Sequence, residues 1–231
     1  MKKSTVAAVF VLGCSAAPAF ADVSVNVGAI GVIPSDSSSA LNVVEQLAGL
    51  PAGSTGANVN TNTQLGVTFD YKVNPAWTLE LIAATPFSHD IYATGGLAGL
   101  KIGSTKHLPP TLMAQYHFQV ASERFDPFVG VGVNYTWFFS EKADTALVNA
   151  LNDLAATSAT DEVSLALKNS WGYALQAGVN IKLDQRWGLH FMVSKMAIDT
   201  VGSVKVNGTT VQTVDVAIDP LVAMAGLRYT F

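Results

Sequence analysis

Cysteine is nearly missing from this chain of 231 residues: the single copy, Cys14, lies close to the N-terminus. Charge is scarce as well, with 13 % of residues charged against 49 % hydrophobic. Despite that apolar content, no stretch beyond the N-terminal segment reaches the roughly 18 uninterrupted apolar residues of a membrane helix. Gly130-Val131-Gly132 lacks the third glycine and the following helix of a dinucleotide loop, and no Gly-x-Ser-x-Gly elbow occurs. These absences exclude a disulfide scaffold, a helical membrane protein and the commonest nucleotide and hydrolase sites. What remains is an apolar chain that must cross a membrane, if it crosses one, with strands.

The first residues read as a secretory signal. Lys2 and Lys3 precede a short apolar run from Val6 to Leu12, and Ala19-Phe20-Ala21 supplies a small-x-small cleavage site before Asp22. A competing reading takes Val11-Leu12-Gly13-Cys14 as an acylation site, with the bulky Leu12 and the short preceding run against it. The domain assignment is therefore 1–21 signal peptide, removed, and 22–231 a single domain. Cleavage takes Cys14 away, so the mature chain forms no disulfide and depends on burial and closed hydrogen bonding. Loss of Lys2 and Lys3 leaves eleven basic residues against 17 acidic ones, a balance of −6 that argues against a nucleic-acid partner.

The C-terminus shows the dominant pattern. Leu221, Ala223, Ala225, Leu227, Tyr229 and Phe231 alternate with Val222, Met224, Gly226, Arg228 and Thr230. One face is apolar and ends in aromatics, while the other mixes small, polar and cationic residues, as in a membrane-spanning strand. Tyr229 and Phe231 form the expected assembly signal. Seven further segments share period two: Val23 to Ile33, Gln64 to Tyr71, Trp77 to Ala84, Leu112 to Phe118, Val129 to Trp137, Trp171 to Leu183 and Trp187 to Ser194. Each approaches the about nine to eleven residues of a tilted spanning strand. The fold class predicted is all-β, an eight-stranded antiparallel transmembrane β-barrel, the smallest usual size.

Connections alternate short and long, which puts short turns and both termini in the periplasm and long loops outside. The outer loops run over about Pro34 to Asn62, Phe87 to Leu108, Phe138 to Asn169 and Asp199 to Asp219. Asp144 is placed to cap a short helix carrying Leu147, Leu151 and Leu154 on one face; Leu41, Val44 and Leu47 suggest a weaker helical turn. Asn207-Gly208 predicts a hairpin that continues above the membrane.

Sorting the inward faces by height gives two zones. The charged residues Asp70, Glu80, His117, Lys182, His190 and Arg228 fall near the periplasmic ends of their strands and form a polar floor. Toward the outside the same faces carry Ile82, Ala84, Met113, Met192, Val222 and Met224, an apolar wall unlike that of a water-filled pore. Such a wall suits an apolar ligand, and Met adapts to varied shapes. Side-chain packing of the barrel as a plain core is the equal alternative. Pro86, Pro109 and Pro110 remove ladder donors on two neighbouring strands near the outer rim, either as a lateral gate or as simple strand boundaries. Outward Trp77, Tyr116, Trp137, Trp171, Tyr173, Trp187 and Tyr229 read as interfacial girdles.

Several ordered stretches resemble the outer-membrane protein W (OmpW) family, related to the alkane-uptake protein AlkL. They include Asn62-Thr63-Gln64-Leu65-Gly66-Val67-Thr68-Phe69, Glu80-Leu81-Ile82-Ala83-Ala84-Thr85-Pro86-Phe87 and His107-Leu108-Pro109-Pro110-Thr111-Leu112-Met113-Ala114-Gln115-Tyr116. Gly132-Val133-Asn134-Tyr135-Thr136, Ser170-Trp171-Gly172 and Ile198-Asp199-Thr200 extend the likeness over nearly all of the mature chain. The resemblance implies a narrow channel in the bacterial outer membrane for small hydrophobic or amphipathic molecules, with sideways release as one exit. Ser194 departs from the family, whose members often place a bulky aromatic there, so more lumen space is expected.

The partners expected are outer-membrane lipid and lipopolysaccharide, small hydrophobic solutes and the barrel-assembly machinery, with no cofactor and no energy source. Catalysis is not expected: Ser194 and His190 share a face but lie roughly 13 Å apart along a strand. His89 and His107 sit in one predicted loop without a ligand-spaced partner, so no metal site is read there. The competing function is a non-transporting surface receptor, adhesin or structural barrel, using apolar loop residues such as Leu47, Leu50, Val148 and Leu154. A cavity over a charged floor favours uptake; a filled upper barrel favours the surface role.

Overall fold

The computed structural model describes residues 23–231. The signal segment, with Lys2, Lys3, Cys14 and the cleavage site, lies outside the described residues. In chain order the elements are β1 (Val23–Ile33), β2 (Ser37–Ser38), α1 (Asn42–Ala48), β3 (Thr55–Val59), β4 (Asn62–Asn74), β5 (Trp77–Ala84), β6 (Phe87–Gly95), β7 (Lys101–Leu108) and β8 (Thr111–His117). Then follow β9 (Phe125–Ala143), α2 (Thr145–Asp153), β10 (Val163–Leu167), β11 (Ser170–Lys182), β12 (Trp187–Met196), β13 (Asp199–Val206), β14 (Thr209–Ala217) and β15 (Leu221–Thr230). Neither helix is long and apolar enough to cross a membrane.

Eight strands close into a barrel in the order β1, β4, β5, β8, β9, β11, β12, β15 and back to β1, each pair antiparallel. Closure gives the membrane-embedded backbone its partners without leaving an edge, a requirement that hydrocarbon imposes. Phe231 N donates to Val23 O at 3.1 Å, so the described chain ends meet at one end of the barrel.

Period two sorts the faces as the sequence predicts. On β8, Met113, Gln115 and His117 are buried while Leu112 and Tyr116 are exposed. Outward side chains stay bare of protein, Trp171 at 75 % exposure and Tyr173 at 62 %, because lipid is their solvent. Aromatic pairs ring both ends: Trp77 with Tyr116 and Trp187 with Tyr229 at the periplasmic side, Tyr135 with Trp171 and Trp137 with Phe139 at the outer side. Along β9, Phe125 to Trp137 covers roughly 40 Å of strand, or about 30 Å of height at the usual tilt, which matches a bilayer core.

Above the outer ring the chain departs from the expected loops. Phe87 to Leu108 is a β-hairpin, β6 with β7, rather than a loop. The strand predicted to end at Trp137 continues to Ala143 and pairs with β7. β3 joins β6, and β10, β13, β14 and β2 form a second sheet facing it. Backbone groups that leave the bilayer still need partners, and extending the ladders supplies them locally. The predicted hairpin at Asn207-Gly208 is present, with φ of 50° and 80°, the double positive φ that this dipeptide tolerates. α2 starts at Asp144, whose Oδ1 accepts from Ala146 N at 3.0 Å. α1 begins at Leu41 without a side-chain cap, in keeping with its weaker signal.

Two apolar cores result. One fills the barrel around Met113, Met192, Met224, Ile82, Phe128 and Val222. The other sits in the extracellular crown, where Leu41, Leu147 and Leu151 pack with Ala93, Ile102, Val204 and Val214. The apolar loop residues therefore cover the barrel mouth in part, with Leu47 left exposed.

Candidate functional site

At the periplasmic end a vestibule of about 680 Å³ reaches up to Asp70, His117, Asp126 and Arg228. Above it the inward polar side chains form a bonded floor. Arg228 pairs with Asp70 and also donates to Asn26 Oδ1 at 3.1 Å, while Asn26 Nδ2 donates to Thr68 Oγ1 at 2.6 Å and Asp70 Oδ2 at 3.1 Å. This half of the floor straddles β1 between β15 and β4. The other half crosses the lumen: Glu80 on β5 accepts at Oε2 from Gln115 at 2.8 Å and from Gln176 on β11 at 2.7 Å. Glu80 Oε1 faces His190 Nε2 of β12, four strands away around the barrel, at 3.8 Å. His190 Nδ1 bonds Asn180 Oδ1 at 2.8 Å, Asn180 Nδ2 donates to Asp126 Oδ2 at 3.1 Å, and His117 Nδ1 meets Asp126 Oδ1 at 2.8 Å.

Five of the six predicted floor residues thus come together, and Lys182 does not. Its side chain is exposed in the vestibule, outside the bonded network, because Lys182 is the last residue of β11, below the level of the floor at the barrel's periplasmic rim. The neutral members Asn26, Gln115, Gln176 and Asn180, together with Asp126, were not predicted as site residues. The only sequence signal for them was their inward phase, which polar amides share with structural positions anywhere.

The predicted apolar wall closes on itself. Met113 has no exposure, and Ile82, Met192, Val222 and Met224 have 2–3 %. Ala84 packs half-buried against the same cluster. Phe128, one residue before the predicted start of its strand, is the largest plug side chain, 2 % exposed and stacked on His190 with ring centroids 5.8 Å apart. Inward glycines make the room: a Cβ on Gly178 would lie 2.3 Å from Phe128 Cζ, and one on Gly132 would lie 2.4 Å from Met113 Sδ. The extra space expected at Ser194 is absent. Its side chain is buried beside Gln176 and Val222 in the ladders, and Oγ donates to Leu175 O at 3.0 Å. Ser194 and His190 therefore belong to separate hydrogen bonds.

Beside this plug the wall is interrupted. The β5–β8 ladder ends at the pair Ile82 and Thr111, and the next ladder above it, β6–β7, starts at Phe87 and His107. Ala83 to Pro86 on one side and Leu108 to Pro110 on the other exchange no backbone hydrogen bond among the described residues. Thr85 N instead bonds Leu65 O, and Pro110 O accepts from Tyr135 N. The equivalent stretch between β12–β13 and β14–β15 is stitched, by Ile218 N to Ile198 O at 2.9 Å and Met196 N to Pro220 O at 3.1 Å. Proline, without an N–H, accounts for the difference.

Just above the gap lies an apolar cavity of about 80 Å³ lined by Val32, Leu41, Val59, Ile91, Phe138, Leu165 and Ile218, with His89 and His107 in its wall. These two histidines correct the loop reading: they face each other on a paired hairpin, Nε2 to Nε2 at 3.0 Å. They lie level with Phe138, just beyond the outer ring residue Trp137. Burial holds His107 down to about 3, with His89 adding to the effect, and lowers His89 too. No group of three or more metal-ligating side chains occurs among the described residues.

A closed lipid-facing barrel with girdles, a polar floor and a sealed apolar interior defines a small outer-membrane β-barrel. The chain belongs to the OmpW family, whose family model matches residues 20–231. It is 40 % identical over 238 residues to outer membrane protein W of Vibrio cholerae serotype O1, covering 99 % of this chain and 100 % of that one. The crystal structure of the outer membrane protein OprG from Pseudomonas aeruginosa is similar at a TM-score of 0.77 and 36 % identity, over 90 % of this chain and 95 % of that one. The fold is also that of the outer membrane protein AlkL in lipid bilayers, at a TM-score of 0.62 and 21 % identity, over 100 % and 97 % of the two chains. The protein resides in the outer membrane.

Proposed function

We propose that this barrel admits small hydrophobic or amphipathic molecules from outside and releases them sideways into the outer membrane. The observation that carries the reading is the unladdered gap at Pro86, Pro109 and Pro110, set between an apolar cavity above and a sealed plug beside it. A solute in the cavity meets a wall of packed Met, Ile and Phe and then a charged floor, so straight passage costs a broken core and the desolvation of bonded charges. The lateral path crosses a stretch where the two neighbouring strands share no ladder hydrogen bond, next to hydrocarbon. The cavity is smaller than the roughly 150 Å³ engineered cavity that admits benzene, so entry spreads lining side chains such as Leu41, Ile91 and Ile218. No energy source enters the mechanism: solute follows its own gradient. Tyr229 and Phe231 serve as the assembly signal in the same proposal.

One observation favours the surface-protein alternative, namely that the bilayer-level interior is filled. Uptake of a graded solute series into lipid vesicles separates the two, with empty vesicles and an unrelated eight-stranded barrel as controls. Acceleration is expected with the refolded protein, and Pro86→Thr, which can rejoin the ladder, is expected to reduce it severalfold while the barrel stays folded. No acceleration by a folded wild-type barrel overturns the uptake reading in favour of a surface role; unchanged uptake by Pro86→Thr overturns the gate.

A further inference from the structure

The hydrogen bonds of the histidine pair settle its tautomers. His89 Nδ1 lies 2.6 Å from Asn60 O, and a carbonyl only accepts, so His89 Nδ1 carries the proton. With the ring neutral, His89 Nε2 is bare and accepts from His107 Nε2 across 3.0 Å. His107 Nε2 then holds that ring's single proton, which leaves His107 Nδ1 as a bare acceptor. That atom is buried and has no hydrogen-bond partner among the described residues. The ring is 4 % exposed, lies between Phe87 and Phe138 at centroid distances of 5.3 and 5.7 Å, and forms part of the cavity wall.

A buried acceptor without a donor is a standing cost, and native structures rarely carry one idly. Here the ring that carries it lines a cavity whose exposed surface is entirely apolar, directly above the lateral gap, so Nδ1 is covered at rest and meets a donor only as an entering solute spreads the side chains around it. We propose that His107 Nδ1 anchors the single hydrogen-bond donor of an amphipathic solute, an alcohol or phenol, whose apolar body occupies the cavity. His89 and Asn60 act as positioning residues that fix the tautomer. The barrel then selects monohydroxylated apolar molecules over parent hydrocarbons of the same size. Both imidazoles are neutral at pH 7, since burial lowers the two groups, so the acceptor is available under ordinary conditions. The proposal rests on the uptake reading and names its substrate class.

The test compares cyclohexanol with methylcyclohexane, a pair matched in size, for the full mature barrel in lipid vesicles. Each rate is taken relative to protein-free vesicles, so that partition into lipid cancels. Wild-type protein is expected to favour cyclohexanol by about fivefold, the ratio that one net hydrogen bond supplies. His107→Phe, which keeps a ring between Phe87 and Phe138 but has no acceptor, is expected to bring the ratio to about one. His107→Gln restores an acceptor and is expected to recover part of the preference. A second readout is nitrogen NMR of histidine-labelled wild-type barrel, in which cyclohexanol but not methylcyclohexane should shift the bare Nδ1 resonance of His107. Equal acceleration of both solutes, or a preference that survives His107→Phe, overturns the subsite while leaving uptake intact. Acceleration of neither solute removes the uptake reading, and the NMR titration then decides the subsite by itself. If His107→Phe does not fold, the same titration decides: a shift supports the subsite and none overturns it.

Discussion

At the scale of single residues, the floor is held by groups that cannot be removed one at a time. Asp70 is 2 % exposed and its compensating cation is Arg228, with Asn26 bridging the two. Arg228→Ala leaves a buried carboxylate without its partner, and about 3–5 kcal/mol of stability should be lost. Changing both partners together, Asp70→Asn with Arg228→Met, should cost clearly less, since the uncompensated charge disappears with its mate. Urea unfolding of the two variants in lipid vesicles, against wild type, checks the order; equal losses would contradict it. Glycine plays the complementary part. Gly178 and Gly132 are inward positions at which a methyl group would strike Phe128 or Met113, so the plug's large side chains lean across the lumen into space that glycine leaves.

At the scale of elements, the β6–β7 hairpin is the part of the crown most exposed to acid. His107 is held to about 3, first by burial and then by its neighbour His89, and His89 is lowered by burial against the opposing pull of the Asn60 carbonyl, Asp36 and Asp90. An unfolded hairpin binds protons on both histidines near the ordinary value of about 6.5. Folded-state values lie below that, so the hairpin is fully stable above about pH 6.5 and loses stability progressively as pH falls toward 3. Amide exchange over residues 87–108, corrected for intrinsic rates, should show faster opening at pH 4.5 than at pH 7. The barrel strands should hold their protection over the same interval, and His107→Phe should flatten the hairpin's response. A hairpin that opens no faster in acid would refute this assignment. Because the hairpin borders both the cavity and the gap, its loosening bears on the proposed route.

At the scale of the molecule, three compartments stack along the axis: a capped apolar cavity, a sealed plug with its floor, and a wet periplasmic vestibule. Wild-type barrels in planar bilayers should pass little steady ion current. Truncating the plug in Met113→Ala, Met192→Ala and Met224→Ala together should join cavity and vestibule and raise conductance severalfold; a current as low as that of wild type would mean the floor alone seals the lumen. The eight spanning strands, their inward and outward phases, the girdles and the helix capped by Asp144 were legible in the chain, because period two and capping are local and lipid selects them strand by strand. The charged floor was legible as a set of residue types at one height, yet Lys182 fell outside it and Asp126 and the amides joined it. Strand stagger decides who meets whom, and periodicity carries no stagger. The missing donors of Pro86, Pro109 and Pro110 marked the place of the gap, whereas Phe128, the His89–His107 pair and the filled space at Ser194 depend on which strands become neighbours and where each ladder stops. Sequence by itself determined that this chain closes into a lipid-facing barrel, since hydrophobic alternation and the need to satisfy backbone groups act on each strand alone. Tertiary structure decided whether the inside is open, sealed or breached, since that turns on side chains four strands apart filling one shared volume.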